Sequence, residues 1–546
     1  MIPSTAPQTT LSRMLFGAPG LVALAALYLL VGLIGHDPWR GDDARHLGPV
    51  FAMLQGEGLL LPHLAGEAVG EYPPLYYWTA AVLATLFSWA LPAHDGARLA
   101  TALYAALTLY WISQAAAALH GREARAAAVL LTLGTLGLVI HAHQAQPLIA
   151  LMAMQALTLA GLARLGQAPL GGALQAAAGA ALAFLAAGLG GALLTLPLLF
   201  GVIALSPECR TPRISGALLL ALCCALGAAA LWPLALHYQQ PELFALWWES
   251  DWGSFGGALP ADRLRPFVED IGWFTWPLWP IALWSLWLAR RRLFSLPVQL
   301  PLAATVLAVI WLVTDYEPEV STLLALVAPL ALLAAGGVTR LRRGAANAFD
   351  WFGVMTFAVF ALLVWLGWTA QVFSWPPGLA RHVARYGPDF VLQGEARQAV
   401  LGALACALWL LLAWKLPRSP QRGPANWAMG MTMLWCLAVI LLMPWFQHGR
   451  SYRPAVEALQ VALAEYSEEC VASTGLSPSV RASLDYYAGL RPLAVGPQGS
   501  PCRLLLVHED RRSKPPSLSP EWLSVWEHSR GGDKQRETFR LYHRQP

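Results

Sequence analysis

Charge is scarce in this chain of 546 residues. Asp, Glu, Lys and Arg make up 12% of it and hydrophobic residues 57%. Soluble globular domains carry about 25% charged residues, so an ordinary soluble domain is excluded. Lysine is scarcer still: only Lys415, Lys514 and Lys534 occur, and arginine supplies the rest of the basic residues. No HExxH, paired CxxC, GxGxxG or P-loop pattern is present, so nothing indicates a nucleotide site or a motif-bound metal. The net charge of +4 is small, and it leaves no basic footprint for a nucleic acid partner. A cleavable signal is missing too. The first apolar segment, 15–35, is of spanning length and has no small-residue cleavage site, so it is expected to stay as a helix. Of the seven cysteines, Cys209, Cys223, Cys224, Cys406 and Cys436 lie in or beside apolar segments and read as packing residues. Cys470 and Cys502 lie in a polar tail.

What the chain does have is a series of apolar segments near the roughly 20 residues that cross a bilayer. They fall at 15–35, 97–119, 125–140, 147–165, 170–187, 189–206, 214–236, 272–290, 297–314, 320–338, 350–372, 397–414 and 427–444. A further run, 75–91, is at the short end of the spanning range. Arginine and lysine in short loops mark the cytoplasmic side. The clusters Arg122/Arg125, Arg210/Arg213, Arg290–Arg292, Arg340/Arg342/Arg343 and Lys415/Arg418/Arg422 all fall on that side if 75–91 does not cross. The reading is a polytopic α-helical membrane protein of about thirteen spans, with a cytoplasmic N-terminus and an outside C-terminus. Loops 36–96, 141–146, 237–271, 315–319 and 373–396 then share the outer face with the tail.

The tail, 446–546, is polar enough to fold in water. Its periodicity gives a helix at 454–466, a strand-like run at 469–474, a helix at 477–490, a strand at 502–507 and a hairpin-like end turning at Gly531-Gly532. This is a small α/β domain following a membrane domain, 1–445. Cys470 and Cys502 each begin a strand-like run. Parallel neighbouring strands would bring them into bonding range, which needs Cα atoms within about 7 Å; two buried thiols are the alternative.

The loop after the first span is where charge collects: Asp37, Arg40, Asp42, Asp43, Arg45, Glu57, Glu67 and Glu71. Ionisable groups at a bilayer surface are costly to hold unless something uses them. Asp42-Asp43-Ala44-Arg45 opens a helix whose Leu47, Val50, Phe51 and Leu54 share a face. Asp42 there is an N-cap and Asp43 complements the helix dipole; the same carboxylates are placed to take a proton from an attacking group. The stretch from Glu71 through Tyr72-Pro73-Pro74 to Trp78 reads either as an interfacial aromatic belt or as one wall of a site.

The strings DDAR, PHLAGE and EYPPLYYW in this order resemble the bacterial GT-C glycosyltransferases related to protein O-mannosyltransferases, especially aminoarabinose transferases acting on lipid A. The resemblance implies a GT-C fold with a periplasmic C-terminal domain in a bacterial inner membrane. It implies a polyprenyl-phosphate sugar as donor, Asp42 with Asp43 as the catalytic carboxylates, and Arg45 on the donor phosphate. Glu71 would shape the same cavity. This sequence departs from the family pattern where a lysine becomes Tyr72, a second acid becomes Gln146, a Lys-Gly becomes Ala187-Gly188 and a lysine loop becomes residues 315–321. Arginines would then hold the phosphate: Arg45 and Arg265, with Arg98 and Arg263 as further candidates. Arginine suits that task through bidentate geometry.

His141 and His143 sit two apart and do not face each other on a helix, so a metal pair is not expected there. His143 is a candidate cavity residue with Tyr72 and Gln146, and a simple interfacial cap is the other reading. Residues 241–279, rich in tryptophan, suggest an interfacial lid or a belt; Glu249 and Asp251 within them are candidates for an acceptor or a metal. The expected activity is inverting transfer of a sugar to a periplasmic acceptor such as lipid A, another envelope glycan or a protein, with no required cofactor and a divalent metal left open. The alternatives are an inactive GT-C relative that binds lipid or glycan, and a transporter. A transporter would place its ionisable residues at mid-membrane on broken helices.

Overall fold

The structure is a computed structural model that describes residues 16–255, 257, 261–315, 319–385, 390–466, 470–494, 501–509, 518–530 and 537–545. It is a polytopic helical membrane protein with a C-terminal sheet domain. Among the described residues, eight helices are long and apolar enough to cross a membrane, and five more apolar helices are shorter.

Several expected spans differ in detail. The first is the helix α1, Ala18–Leu30, and it stops before Gly32, whose positive φ breaks the helical run. The stretch 75–91 forms only the helix α3, Leu75–Leu86. It packs against the long helix α4, Ala93–His120. The span expected at 125–140 is interrupted: α5, Ala124–Leu133, ends at Gly134, and a separate turn of helix covers Leu138–His141. Gly134 is pressed against the Trp427 indole, whose Nε1 donates to the Gly134 carbonyl. The interruption therefore has a packing partner as well as a glycine.

The expected pair 170–187 and 189–206 is one helical stretch, Pro169–Leu205, with a break at Ala187 and Gly188. Gly191 lies against the carbonyl of Ala183. Along a straight helix those residues would be about 12 Å apart, so the chain reverses at the break and the two halves form a hairpin. Gly188 takes φ +54 there, and a Cβ on it would collide with the Asp251 carboxylate.

The tail follows the helix Arg422–Arg450, through Ser451, into the helix Arg453–Leu463. Its five-stranded sheet has the order β4-β3-β5-β7-β6, with β3 Val471–Thr474, β4 Leu493–Ala494, β5 Leu504–Glu509, β6 Trp522–Arg530 and β7 Glu537–Arg544. The parallel pairing of β3 with β5 puts Val471 opposite Leu504. The preceding cysteines, Cys470 and Cys502, are joined as a disulfide with Cα atoms 5.1 Å apart. β6 and β7 are antiparallel as expected, while the expected Gly531-Gly532 turn lies outside the described residues.

The tail docks on the first loop. Gly48, on the helix α2, Asp42–Leu54, has no room for a Cβ because the Ala482 methyl fills that space. Arg491 binds Glu57 at 3.0 Å and Asp485 at 2.9 Å. Arg481 reaches Glu67, at the end of the small β1-β2 hairpin (His63–Leu64 and Glu67–Ala68). Arg40 binds Glu537 at 2.9 Å.

Candidate active site

The helix α2 carries the site. Its N-cap is Gly41, not Asp42: φ +93 and ψ −139 at that position suit glycine, and Asp42 becomes the first helical residue. Asp43 then turns inward. It has no exposed surface, and its carboxylate accepts from Arg98 Nε and Nη2, from the Ala145 amide at 2.7 Å and from the Trp39 amide at 2.9 Å. Burial alone would raise the Asp43 pKa, but the Arg98 guanidinium outweighs it and holds the carboxylate below its usual range. Arg98 is equally buried and also binds Asp95 at 2.8 Å. Asp43 and Arg98, expected as a catalytic acid and a candidate phosphate ligand, therefore form an internal tie between the first loop, α4 and the 141–146 loop. A substrate has no surface of either to touch.

Asp42 lies half-buried on the next face. Gln146 donates from Nε2 to Asp42 Oδ2 at 3.0 Å, while its Oε1 accepts from the Leu148 amide. Gln146 is thus the side-chain N-cap of α6, Pro147–Ala163, and a fully buried positioning group for Asp42. Burial raises the Asp42 pKa, and the Glu319 carboxylate adds to the shift. Arg45 lies one residue beyond Ala44, with its fork between two acids: Nη2 donates to Glu71 and Nη1 to Glu319 Oε1 at 2.6 Å. Burial opposes the Arg45 charge, but Glu71 and Glu319 more than offset that and keep it cationic. Glu71 is pushed up to about 7, first by burial and then by Glu319, against the pull of Arg45. Tyr72 packs edge-on to His46 and is almost buried. Burial and the neighbouring acids raise its phenol, so it stays protonated.

The aromatic run after Glu71 is internal, not an interfacial belt. Tyr76 and Tyr77 are buried, and their hydroxyls meet Thr101 at 2.8 Å and His46 Nδ1 at 3.0 Å. These bonds fix α3 against α2 and α4 and so fix Glu71.

Asp42, Arg45, Glu71, Tyr72 and Gln146 come together; His143 and Arg265 do not join them. His143 is fully buried, and its ring nitrogens face the carbonyls of Val139 and Tyr28. It ties the end of α1 to the 141–146 loop. Arg265 stands almost wholly exposed on the helix Ala261–Phe274 and pairs with Glu269 at 2.9 Å. Of the acids in the tryptophan-rich stretch, Asp251 accepts from the Leu189 amide at 2.9 Å, at the helical hairpin's turn. Burial pushes it up to about 7. Among the described residues, no group of three or more His, Cys, Asp or Glu side chains is arranged to hold a metal. Glu319 is the site residue that sequence reasoning missed. The signal was present in the acids of residues 315–321, which were read only for the lysine they lack.

No family model and no curated protein matches this sequence. Solved structures do. ArnT from Cupriavidus metallidurans bound to undecaprenyl phosphate superposes with a TM-score of 0.69 at 19% identity, over 95% of this chain and 97% of that one. The same protein in the apo state gives 0.63 at 19% identity, with the same coverage. The fold is that of the GT-C glycosyltransferases. An Archaeoglobus fulgidus oligosaccharyltransferase tethered with an acceptor peptide is a more remote match, with a TM-score of 0.45, 10% identity, and 88% of this chain covering 64% of that one. In this chain, α2 presents one half-buried carboxylate, Asp42, and one cation, Arg45, on the same side of the helix. Their other sides are anchored by Gln146, Glu71 and Glu319.

Proposed function

We propose that the chain transfers a sugar from a polyprenyl-phosphate-linked donor to an acceptor hydroxyl or phosphate at the membrane face where the first loop and the tail meet. The observation that carries this reading is the pairing of Asp42 with Arg45 on adjoining faces of one helix turn, each held by separate partners. The acceptor gives its proton to Asp42, and its oxygen forms the bond to the anomeric carbon. The bond from that carbon to the phosphate oxygen breaks, and polyprenyl phosphate leaves with the electron pair. Attack from the face opposite the leaving group inverts the anomeric centre.

Arg45 meets the charge on the departing phosphate. It is held before substrate arrives by Glu71 and Glu319, so the donor phosphate must take over one of these contacts. Glu71, poised near neutrality, is the partner that yields, because taking a proton removes its claim on the guanidinium. Tyr72, protonated and beside Glu71, supplies a hydroxyl where the related pattern has a lysine. The likeness to a structure of ArnT bound to undecaprenyl phosphate supports a polyprenyl phosphate donor. Lipid A, another envelope glycan and a protein are the acceptor classes, in a bacterial inner membrane with the tail in the periplasm.

The deciding experiment incubates purified protein with polyprenyl-phosphate sugars and a panel of those three acceptor classes. Release of polyprenyl phosphate coupled to a glycosylated acceptor, lost in Asp42→Asn, is the expected result. Donor binding without release in any combination would overturn the enzymatic reading.

A further inference from the structure

Two cavities share walls near the His120 end of α4. The first, about 810 Å³, is lined by Arg290, Arg291, Arg292 and Arg340, with His120, Ser285 and Thr339. The second, about 1350 Å³, is a mainly apolar groove between α1, α4 and α5. Leu21, Leu29, Leu103 and Leu109 line its length, and Arg122, Arg125 and Arg418 stand at its end. Glu123 and Thr339 border both cavities. On α4 the groove extends from Leu99 to Gln114, about 22 Å at 1.5 Å per residue. That exceeds the roughly 15 Å depth of one leaflet of a 30 Å hydrocarbon core.

We propose that this paired cavity is a binding site for an anionic phospholipid, with the headgroup phosphate in the arginine basin and an acyl chain along the groove. Charge complementarity selects the occupant. Four guanidinium groups border the basin against one carboxylate, that of Glu123. Arg290 stacks over the Trp287 ring at 4.6 Å and donates from Nη1 to the Trp287 carbonyl at 2.8 Å, which holds its guanidinium at the basin's edge. Arg291, Arg292 and Arg340 form no ion pair among the described residues, and all three are exposed. His120 is held by the Leu332 carbonyl at 3.0 Å, and Gly336 sits against its ring. That contact fixes the imidazole as a wall of the basin. An arginine basin alone would suit any phosphate; an apolar groove alone would suit any lipid. Their junction at Glu123 and Thr339 selects a molecule that is both.

The arginine basin, which takes the headgroup, is separate from the transfer chemistry, while the groove's far end at Leu99 comes within one residue of Arg98. Arg98, which anchors Asp43, and His120, which borders the basin, lie on the same helix, α4, about 33 Å apart at 1.5 Å per residue. The inference therefore stands whether or not the chain proves to be a transferase.

Native mass spectrometry of the full chain in detergent, with added phosphatidylglycerol or phosphatidylcholine, tests it. Phosphatidylglycerol should be retained preferentially. The triple variant R291A/R292A/R340A should lose that preference by about tenfold or more, since each arginine near an anionic headgroup adds to its attraction. Ala106→Trp, which fills the groove and leaves every arginine in place, should weaken retention of the same lipid. The conservative variant R291K/R292K/R340K should keep it, which separates loss of charge from loss of fold. Equal retention of the two lipids, or unchanged retention in the triple alanine variant, would overturn the proposal. So would binding of inorganic phosphate as tight as that of the lipid, since the groove would then contribute nothing.

Discussion

Arg98 grips Asp43 with two nitrogens, Nε at 3.2 Å from Oδ1 and Nη2 at 2.7 Å from Oδ2, and neither side chain has any exposed surface. The pair joins α2 to α4 and, through the Ala145 amide, to the loop before α6. Adjacent aspartates on one helix thus have different tasks, because a helix turns 100° per residue and only one of them can face the open side.

The first prediction separates these tasks. Asp43→Ala leaves the Arg98 charge buried without its principal partner and should cost about 3–5 kcal/mol of stability. Asp42→Asn keeps the Gln146 contact in shape and should leave the melting temperature near wild type, while transfer falls by about 10²-fold or more. Thermal unfolding and turnover measured on both variants decide it; comparable destabilisation by both would sink the division.

The hydrogen bond from Gln146 lowers the Asp42 pKa against the rise caused by burial and Glu319. Gln146→Glu replaces a donor at 3.0 Å with a second carboxylate, and like charges at that distance raise one another's pKa. The pH–rate profile for transfer should move to higher pH, with little change at the alkaline plateau. An unmoved acidic limb would show that Asp42 is not the titrating base.

Glu71 gives donor binding a pH dependence of definite sign. Its folded pKa is about 7, above its ordinary 4.5. Folding therefore favours the protonated form, and the stability this group contributes is fully present below pH 4.5 and lost as pH rises through about 7. When Glu71 is protonated, Arg45 keeps more of its charge for phosphate. Affinity for a polyprenyl phosphate should tighten as pH falls from about 8 to about 6, and Glu71→Gln should flatten that slope. Calorimetric or fluorescence titration at several pH values provides the check.

The disulfide closes a loop with a sequence separation of 32. A loop of this size contributes about 3–4 kcal/mol in the chain-entropy description. The Cys470→Ser/Cys502→Ser double variant should therefore make the tail readily cleaved by protease at temperatures where the wild type resists. It should leave the membrane helices intact by circular dichroism. Equal protease resistance with and without the bond is the contrary outcome.

Sidedness is tested by labelling in a background without the five free cysteines, Cys209, Cys223, Cys224, Cys406 and Cys436. Glu57→Cys and Glu521→Cys should react with an impermeant thiol reagent from one side of the membrane, and Arg291→Cys from the other. Reaction of all three from one side would falsify the arrangement.

The sequence alone was sufficient for whatever depends on local pattern and solvent preference. Apolar runs near 20 residues with few charges have one outcome in a bilayer, so the helical membrane class followed from composition. The order DDAR, PHLAGE, EYPPLYYW was enough to suggest the GT-C fold that the structural likeness shows. The tail's alternation of helix and strand was legible because period 2 and period 3.6 differ plainly in a polar background.

Tertiary structure decided everything that depends on direction. Which of Asp42 and Asp43 faces outward depends on where Arg98 lies, 55 residues away. His143, at the outer end of a span, read as a cavity residue or an interfacial cap, but its ring turns toward the Tyr28 carbonyl, 115 residues distant. Arg265 was a plausible phosphate ligand by residue type and stands in solvent with Glu269. Glu319 entered the site because the fold carries it to Arg45 across 274 residues. Cys470 and Cys502 had the right setting for a bond, but only the parallel register of β3 and β5 brought them together. Local sequence fixes what a segment is made of and how it coils; which side chains meet is set by long-range packing, and at this site nearly every functional contact is long-range.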